Sequence, residues 1–381
     1  MLPPDLQSKT RIVFGVGSVA ELGTLSSGMG VGRALVVSDP GIEEVGHTQR
    51  GIESLQDAGL ETYIFDGLQE NPTTDHVEAG LEVAEDFGPD VIIAIGGGSS
   101  MDCAKGINFL LSCGGKIEDY WGIGKATGDL LPMIAVPTTA GTGSESQSFA
   151  LISHAETHVK MACGDSRAAF RIAILDPQLT VTQPARVAAL SGFDALSHAV
   201  ETCVTTKRNE ESCRYSLEAW QRLAPNFLNV LEEPQDIIAR GQMQLGACLS
   251  GLAIENSMLG AAHALANPLT AAYGIAHGEA VAIMLPHVVL FNGVACDLLY
   301  RELLSTTESE SNCPKGGSAE LADFLQSGSG AAGLAATLKQ CGVDYNHLPQ
   351  LADDASKQWT ATFNPVPVTS KELLQLYESA Y

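Results

Sequence analysis

The stretch Asp90-Val-Ile-Ile-Ala-Ile95 runs straight into Gly96-Gly97-Gly98-Ser99-Ser100. An apolar run of this length, closed by glycines, reads as a strand buried on both faces, as in parallel sheets covered by helices. Met101 to Lys105 continue as a helix, so a strand feeds a helix through a glycine triplet. Glycines let a ligand approach the backbone closely and tolerate positive φ. Free amides at the helix start favour an anion, and the pyrophosphate of a dinucleotide suits them. The stretch is neither G-x-G-x-x-G nor a Walker A loop, and an ordinary strand-to-helix turn also uses glycine. Both readings stay open on these residues alone.

The surrounding pattern repeats the alternation of strand and helix. Short strands are expected at 11–14, 33–39, 62–65, 90–95 and 133–136, with helices at 18–21, 51–59 and 74–87. Asp39 closes the second strand, where α/β sheets place ligand contacts. Its carboxylate can accept a hydrogen bond from an adenosine ribose and would repel a 2′-phosphate, which favours NAD over NADP; it can equally open a turn before Pro40. Pro137-Thr-Thr-Ala-Gly-Thr-Gly-Ser-Glu145 is a loop of small hydroxyl residues and glycines. Residues 149–175 read as β-rich, and Asp176-Pro177-Gln178-Leu179 ends this half.

From residue 185 the strand patterns stop. Helical periodicity covers 186–205, 209–230, 234–255, 258–270, 277–292, 319–327, 331–340 and 369–379. The stretch 305–318 is polar and turn-rich, and reads as a loop. A chain of 381 residues exceeds the usual single core. Two domains are therefore expected: an α/β dinucleotide-binding domain over 1–184 with a mostly parallel sheet, and an all-helical domain over 185–381.

Charge excludes some partners. With 21 basic and 45 acidic side chains, the formal net charge of -24 repels nucleic acid and anionic lipid. The nine cysteines are dispersed and odd in number, which fits reduced thiols in a cytoplasm and no disulfide framework. Met1-Leu-Pro-Pro-Asp5 has neither a basic n-region nor an apolar h-region. No uninterrupted apolar run approaches 18 residues, so no membrane span is expected.

The helical half holds four metal-competent side chains. Asp194 and His198 stand four apart, on one face of a helix free of breakers. His263 and His277 are separated by Asn267-Pro268 and Tyr273-Gly274, which suggests two helices joined by a turn. One carboxylate and three imidazoles suit a first-row divalent ion, Fe or Zn better than Ca or Mg. Asp194 and His198 could also be an ordinary helix-face ion pair, and spacing alone does not decide.

Taken together, Gly96-Gly97-Gly98-Ser99 with Asp102 and Lys105, Pro137 to Thr142, Gly192-Phe-Asp194-Ala-Leu-Ser-His198-Ala-Val-Glu201, His263 to Leu269, and His277-Gly278 through Asn292 resemble the iron-containing (group III) alcohol dehydrogenase family. The likeness extends over nearly the whole chain. It implies a dehydroquinate synthase-like fold and Asp194, His198, His263 and His277 as ligands of Fe²⁺, or of Zn²⁺ in some members. It implies NAD contacts at Asp39, Asn71, Gly97, Gly98, Ser99, Thr138, Thr139, Thr142, Lys160 and Leu179. The implied reaction is reversible hydride transfer between a primary or small alcohol, or its aldehyde, and NAD, in a homodimer or larger homo-oligomer. Close relatives often carry a histidine four residues after the first C-terminal ligand histidine. Here that residue is Asn267, whose amide cannot relay protons as imidazole does. The same scaffold also supports dehydroquinate synthase-like lyases, which grip polyanionic substrates with clustered basic residues, and maleylacetate reductases, which usually lack the full ligand set. The helical half is poor in clustered Lys and Arg near the ligands, and all four ligand positions are filled. An NAD-binding regulatory protein is a third, non-enzymatic reading, and it too is disfavoured by an intact ligand set.

Overall fold

The structure is a computed structural model that describes residues 8–307 and 316–381. Most of the loop expected at 305–318, Cys313 and the N-terminal Met1–Asp5 lie outside the described residues. The chain forms two compact units: residues up to Thr139 with Gly143–Gln183, and Ala140–Thr142 with Pro184–Tyr381.

The first unit contains β1 (Arg11–Phe14), β2 (Arg33–Val37), β3 (Glu61–Phe65), β4 (Val91–Gly96), β5 (Gly122–Ile123), β6 (Met133–Pro137), β7 (Phe149–Ser153), β8 (Lys160–Gly164) and β9 (Ile172–Leu175). Six of them pair in parallel in the order β1-β9-β6-β4-β2-β3, while β5, β8 and β7 form a small second sheet. The expected α/β class is observed. Register explains why the strands read as continuous apolar runs. Val36 sits opposite Ile93, Ile93 opposite Ile134, and Ile134 opposite Ile172. This row joins one buried cluster with Leu22, Ile52 and Leu55 from the covering helices. Each such side chain contributes roughly 1.5–3 kcal/mol of burial.

Strand order also places the ligand-facing edge. The chain leaves β2 toward β3 on one side, and leaves β4 toward β6 on the other. The sheet therefore changes winding direction between β2 and β4, where open α/β sheets leave a crevice at the carboxyl ends of their strands. Asp39 and Gly97 follow those two strands.

The second unit is helical. Ala185–Val204, Glu210–Asn226, Ile237–Asn256, Ala261–Tyr273, His277–Ser305, Ser318–Ala331, Leu348–Ser356 and Ser370–Ser379 are its longer helices. One expectation fails. No helix forms over 332–340: Gly333 adopts φ +72°, so the chain turns away after Ala331, and Leu334 and Leu338 fill the core from irregular backbone. The expected pair of helices joined by a turn is observed, and Ala261–Tyr273 runs through Pro268. Pro268 removes the donor that would meet the Ala264 carbonyl; at the next carbonyl, Leu265, the Tyr377 hydroxyl donates at 2.6 Å. The turn is made by Gly274 alone, in the left-handed region at φ +65°.

His277–Ser305 extends beyond the expected 277–292 and passes through Pro286. In length and composition it would suffice to cross a membrane, although it contains no uninterrupted apolar run approaching 18 residues. It packs against Ala185–Val204, Ala261–Tyr273 and Ser318–Ala331, and more than half of its most apolar stretch is buried. The eight cysteines among the described residues are free thiols.

Close helix packing gives a test of the first unit. A Cβ at Gly23 would lie 1.9 Å from the Ser54 carbonyl oxygen, so backbone must move. Gly23→Ala is expected to destabilise this unit by about 1–3 kcal/mol, read as a lower melting temperature with unchanged metal content.

Candidate active site

Asp194 and His198 lie one turn apart on Ala185–Val204, and both are buried. His263 is the third residue of Ala261–Tyr273, and His277 opens His277–Ser305. Asp194 Oδ1 is 3.4 Å from His198 Nε2, 3.5 Å from His263 Nε2 and 3.8 Å from His277 Nε2. One ligand atom each from Asp194, His263 and His277 lies within 4.8 Å of the others. The His198 ring stacks on that of His263, with centroids 4.9 Å apart. Three helices thus converge their metal-competent atoms on the Asp194 carboxylate.

Glu201, to which the residue pattern assigns no role, organises this arrangement. It is buried, and its Oε2 accepts from His263 Nδ1 at 2.6 Å. The same carboxylate accepts from Gly260 N at 3.1 Å and Ala262 N at 2.7 Å. It therefore satisfies amides that the start of Ala261–Tyr273 leaves without intrahelical partners. A proton held on Nδ1 leaves Nε2 as the coordinating atom, the arrangement by which carboxylates orient metal-bound histidines. Glu201 lies seven residues after Asp194 and three after His198, on the same helix face. That spacing was a readable signal for a third polar residue facing inward.

Electrostatics follow from burial and proximity. Burial pushes the Asp194 carboxyl up, but His198 and the two other imidazoles outweigh it and hold it well below the usual range. Burial pushes His198 down to about 4. Burial would lower His263 as well, yet Glu201 and Asp194 together lift it to about 9. Burial raises Glu201 and the imidazole and amides lower it, with a net fall.

Asp194 Oδ1 and His263 Nε2 are buried and lack a hydrogen-bond partner among the described residues. Two buried polar atoms left unmatched and facing one another at 3.5 Å are costly unless a proton or a metal cation is shared between them. The donor set is nitrogen and carboxylate oxygen, which suits Fe or Zn. The residues present therefore fit a divalent first-row ion. Asn267, one turn beyond His263, donates through Nδ2 to Gln358 Oε1 at 3.0 Å.

In the first unit, most of the expected nucleotide contacts gather at the carboxyl ends of β2, β4 and β6. Asp39 caps Pro40–Glu44, accepting from Ile42 N at 3.1 Å, and its Oδ2 is 3.4 Å from Ser100 Oγ. A Cβ at Gly96 would sit 2.1 Å from Ser100 Oγ and 3.3 Å from Asp39 Oδ2, so only glycine admits this approach. Gly97 precedes the helix Gly98–Cys113, and Ser99 Oγ accepts from Asn71 N at 3.2 Å. Thr138 N donates to Gly96 O at 2.9 Å, and a Cβ on Gly97 would meet Thr139 Cγ2 at 3.3 Å. The Thr138 hydroxyl is buried and lacks a protein partner among the described residues. Three residues stand apart. Leu179 is sealed in the apolar cluster, and its amide donates to Asp176 O at 3.0 Å. Lys160 begins β8 in the small sheet, and its charge reaches Asp102. Thr142 belongs to the second unit.

A parallel α/β unit with a glycine-lined strand edge, joined to a helical unit that converges an aspartate and histidines, defines the class: a two-unit α/β and all-helical chain with a candidate metal site. The family model "Iron-containing alcohol dehydrogenase" matches residues 9–177, and "Fe-containing alcohol dehydrogenase family, C-terminal" matches 188–381. The chain is 33% identical to Alcohol dehydrogenase 4 of Schizosaccharomyces pombe, covering 97% of this chain and 87% of that protein. It is 30% identical to the NAD-dependent methanol dehydrogenase of Bacillus methanolicus, covering 97% of each. The solved structure of a 1,3-propanediol oxidoreductase superposes with a TM-score of 0.93 at 30% identity, over 97% of this chain and 98% of that one. The protein belongs to the iron-containing alcohol dehydrogenase family of oxidoreductases.

Two outcomes test the site. Without metal, His263 keeps its proton below about pH 9, and a ligand histidine must be neutral at the coordinating nitrogen. Metal uptake at pH 7 should release a proton, and affinity should fall as pH drops below 9, approaching about tenfold per unit. Calorimetry in buffers of different ionisation heat reads this; no proton release would argue against His263 as a ligand. Glu201→Gln should weaken metal affinity about 10–100-fold, measured by competition with a chromogenic chelator.

Proposed function

We propose that the protein catalyses reversible, metal-dependent hydride transfer between a primary or small alcohol, or its aldehyde, and NAD. The observation that carries this reading is the buried pair of orphaned atoms, Asp194 Oδ1 and His263 Nε2, with His198 and His277 nitrogens 3.4 and 3.8 Å from the same carboxylate oxygen. Asp194, His198, His263 and His277 would hold a divalent ion, which would supply Lewis acidity toward an alcohol hydroxyl. The Asp194 carboxylate would set one negative charge beside such an ion and temper its acidity. Glu201 keeps the His263 Nδ1 proton in place, so the ring cannot rotate without losing a 2.6 Å hydrogen bond.

NAD supplies the hydride acceptor at nicotinamide C4. The amides that open Gly98–Cys113 suit its pyrophosphate, and the Thr138 hydroxyl offers a buried donor. Asp39 is placed to accept from a ribose hydroxyl, and its charge disfavours a 2′-phosphate. The relative from Bacillus methanolicus, named NAD-dependent and a methanol dehydrogenase, supports both the cofactor and a small alcohol. Asn267 cannot exchange protons, so proton exchange between the substrate hydroxyl and bulk water does not use that side chain.

His263→Ala should abolish turnover while NADH binding, followed by nucleotide fluorescence, persists. Full activity in metal-free protein would refute the reading. Asp39→Ser retains a helix-capping oxygen but loses the charge. It should shift the ratio of kcat/KM values toward NADP by about tenfold, equivalent to 1.4 kcal/mol. An alcohol and aldehyde panel followed at the NADH absorbance provides the assay.

A further inference from the structure

Asn292 and Asn364 are both buried, and they face one another as a reciprocal pair. Asn292 Nδ2 donates to Asn364 Oδ1 at 3.0 Å, and Asn364 Nδ2 donates to Asn292 Oδ1 at 2.8 Å. Asn364 Oδ1 also accepts from Ala261 N at 3.3 Å, and its Nδ2 donates to Val366 O at 2.7 Å. A side-chain amide has two donor hydrogens and an acceptor oxygen with two lone pairs, so every bonding site of Asn364 is met. The Ala261 amide and the Val366 carbonyl also fix which end of the Asn364 amide is oxygen and which is nitrogen. One residue earlier, Phe363 O accepts from Thr206 N at 2.8 Å and from Thr205 Oγ1 at 3.2 Å. Buried polar groups are costly unless paired, and a fully paired network is stiff.

These contacts reach all three helices that carry the metal-competent side chains. Thr205 and Thr206 follow Ala185–Val204, the helix of Asp194 and His198. Ala261 opens the helix of His263, and Asn292 lies on the helix that His277 begins. The bonds span 158, 103 and 72 residues of chain. Ala261 N sits between Gly260 N and Ala262 N, which donate to Glu201, so Asn364 completes the row of amides that precedes His263. A Cβ at Gly260 would lie 3.0 Å from Glu201 Oε1 and 3.1 Å from Asn364 Oδ1; glycine lets both oxygens come close. We propose that Phe363 and Asn364 form a clamp that positions the metal ligands: Asn364, held by Asn292, sets the start of the His263 helix against the His277 helix, and the Phe363 carbonyl ties both to the end of the helix bearing Asp194 and His198. This rests on the reading that those four side chains hold a divalent ion. The clamp acts through the backbone that carries the ligands, and lowers the reorganisation that metal binding would otherwise require.

The test titrates metal-free, full-length protein with Co²⁺, whose visible absorbance reports both affinity and ligand geometry. Asn364→Leu keeps a similar volume and removes all four side-chain hydrogen bonds. Its Kd for Co²⁺ should rise about tenfold or more, and the absorbance bands of the bound ion should change. Asn292→Ala deletes the reciprocal pair and leaves Asn364 on Ala261 N and Val366 O, so a smaller rise of the same kind is expected. A segment that only supports the fold would lower the melting temperature, while the folded molecules bind Co²⁺ with the wild-type Kd and spectrum. That result in Asn364→Leu overturns the proposal. If Asn364→Leu does not fold, an unchanged Kd and spectrum in Asn292→Ala overturn it. Wild-type protein titrated in parallel separates the two levels: failure of the wild type to bind Co²⁺ removes the functional reading itself.

Discussion

A carboxylate buried among three imidazoles is an electrostatic problem before it is a binding site. Asp194 is 5% exposed and Glu201 3% exposed, and both carboxyls are held in the charged form by histidines. Two buried negative charges require compensation, because an isolated buried ion costs several kcal/mol even after relaxation. The proton on His263 supplies one positive charge, which leaves the set at -1. A divalent ion in place of that proton brings it to neutrality, since +2 then balances the two carboxylates. The convergence of three helices, the orientation of His263 and the pairing of Glu201 with free helix amides all serve this balance.

The two units solve different physical tasks. In the sheet, an apolar row from Val36 to Ile172 fixes strand register, and a one-residue slip would exchange the two covered faces and lose the fit of each to its helices. Register therefore determines where β2 and β4 end, and so where Asp39 meets Gly96. In the helical unit no strand edge is available, and side chains are aimed by helix phase. Asp194, His198 and Glu201 share one face because 3.6 residues make a turn. Helices with small residues approach closely: a Cβ at Gly278, beside His277, would lie 2.2 Å from the Leu190 carbonyl oxygen. Small residues thus set how near the histidine-bearing helices come to the one that carries Asp194.

Buried polar chemistry recurs in the first unit with another purpose. The Asp102, Lys105 and Ser144 cluster is closed on itself, with its donors satisfied internally. The Asp194 site leaves lone pairs open. A closed network rigidifies, whereas an open one awaits a ligand.

Local periodicity sufficed for much of this protein. The apolar run at 91–95, the helix at Thr74–Phe87 and the i, i+4 pair of Asp194 and His198 follow from repeats of 2.0 and 3.6 residues, which are properties of short stretches. Gly96 to Gly98 marked a strand-to-helix turn because glycine combines close approach with free torsion. What local pattern did not reach depends on partners distant in the chain. Pro268 lies inside a helix that periodicity already covered, but the Tyr377 hydroxyl that donates to the Leu265 carbonyl beside it comes from more than one hundred residues later. Leu334 and Leu338 read as helical, but glycines around them turn the backbone while the core still takes their side chains. Glu201 meets His263 across 62 residues, and Lys105 meets Ser144 across 39. Residue spacing names the groups able to act, because torsional preference is local. Which of them share a buried volume is decided only when packing brings remote segments together, because desolvation and hydrogen-bond satisfaction belong to the folded neighbourhood and not to the chain.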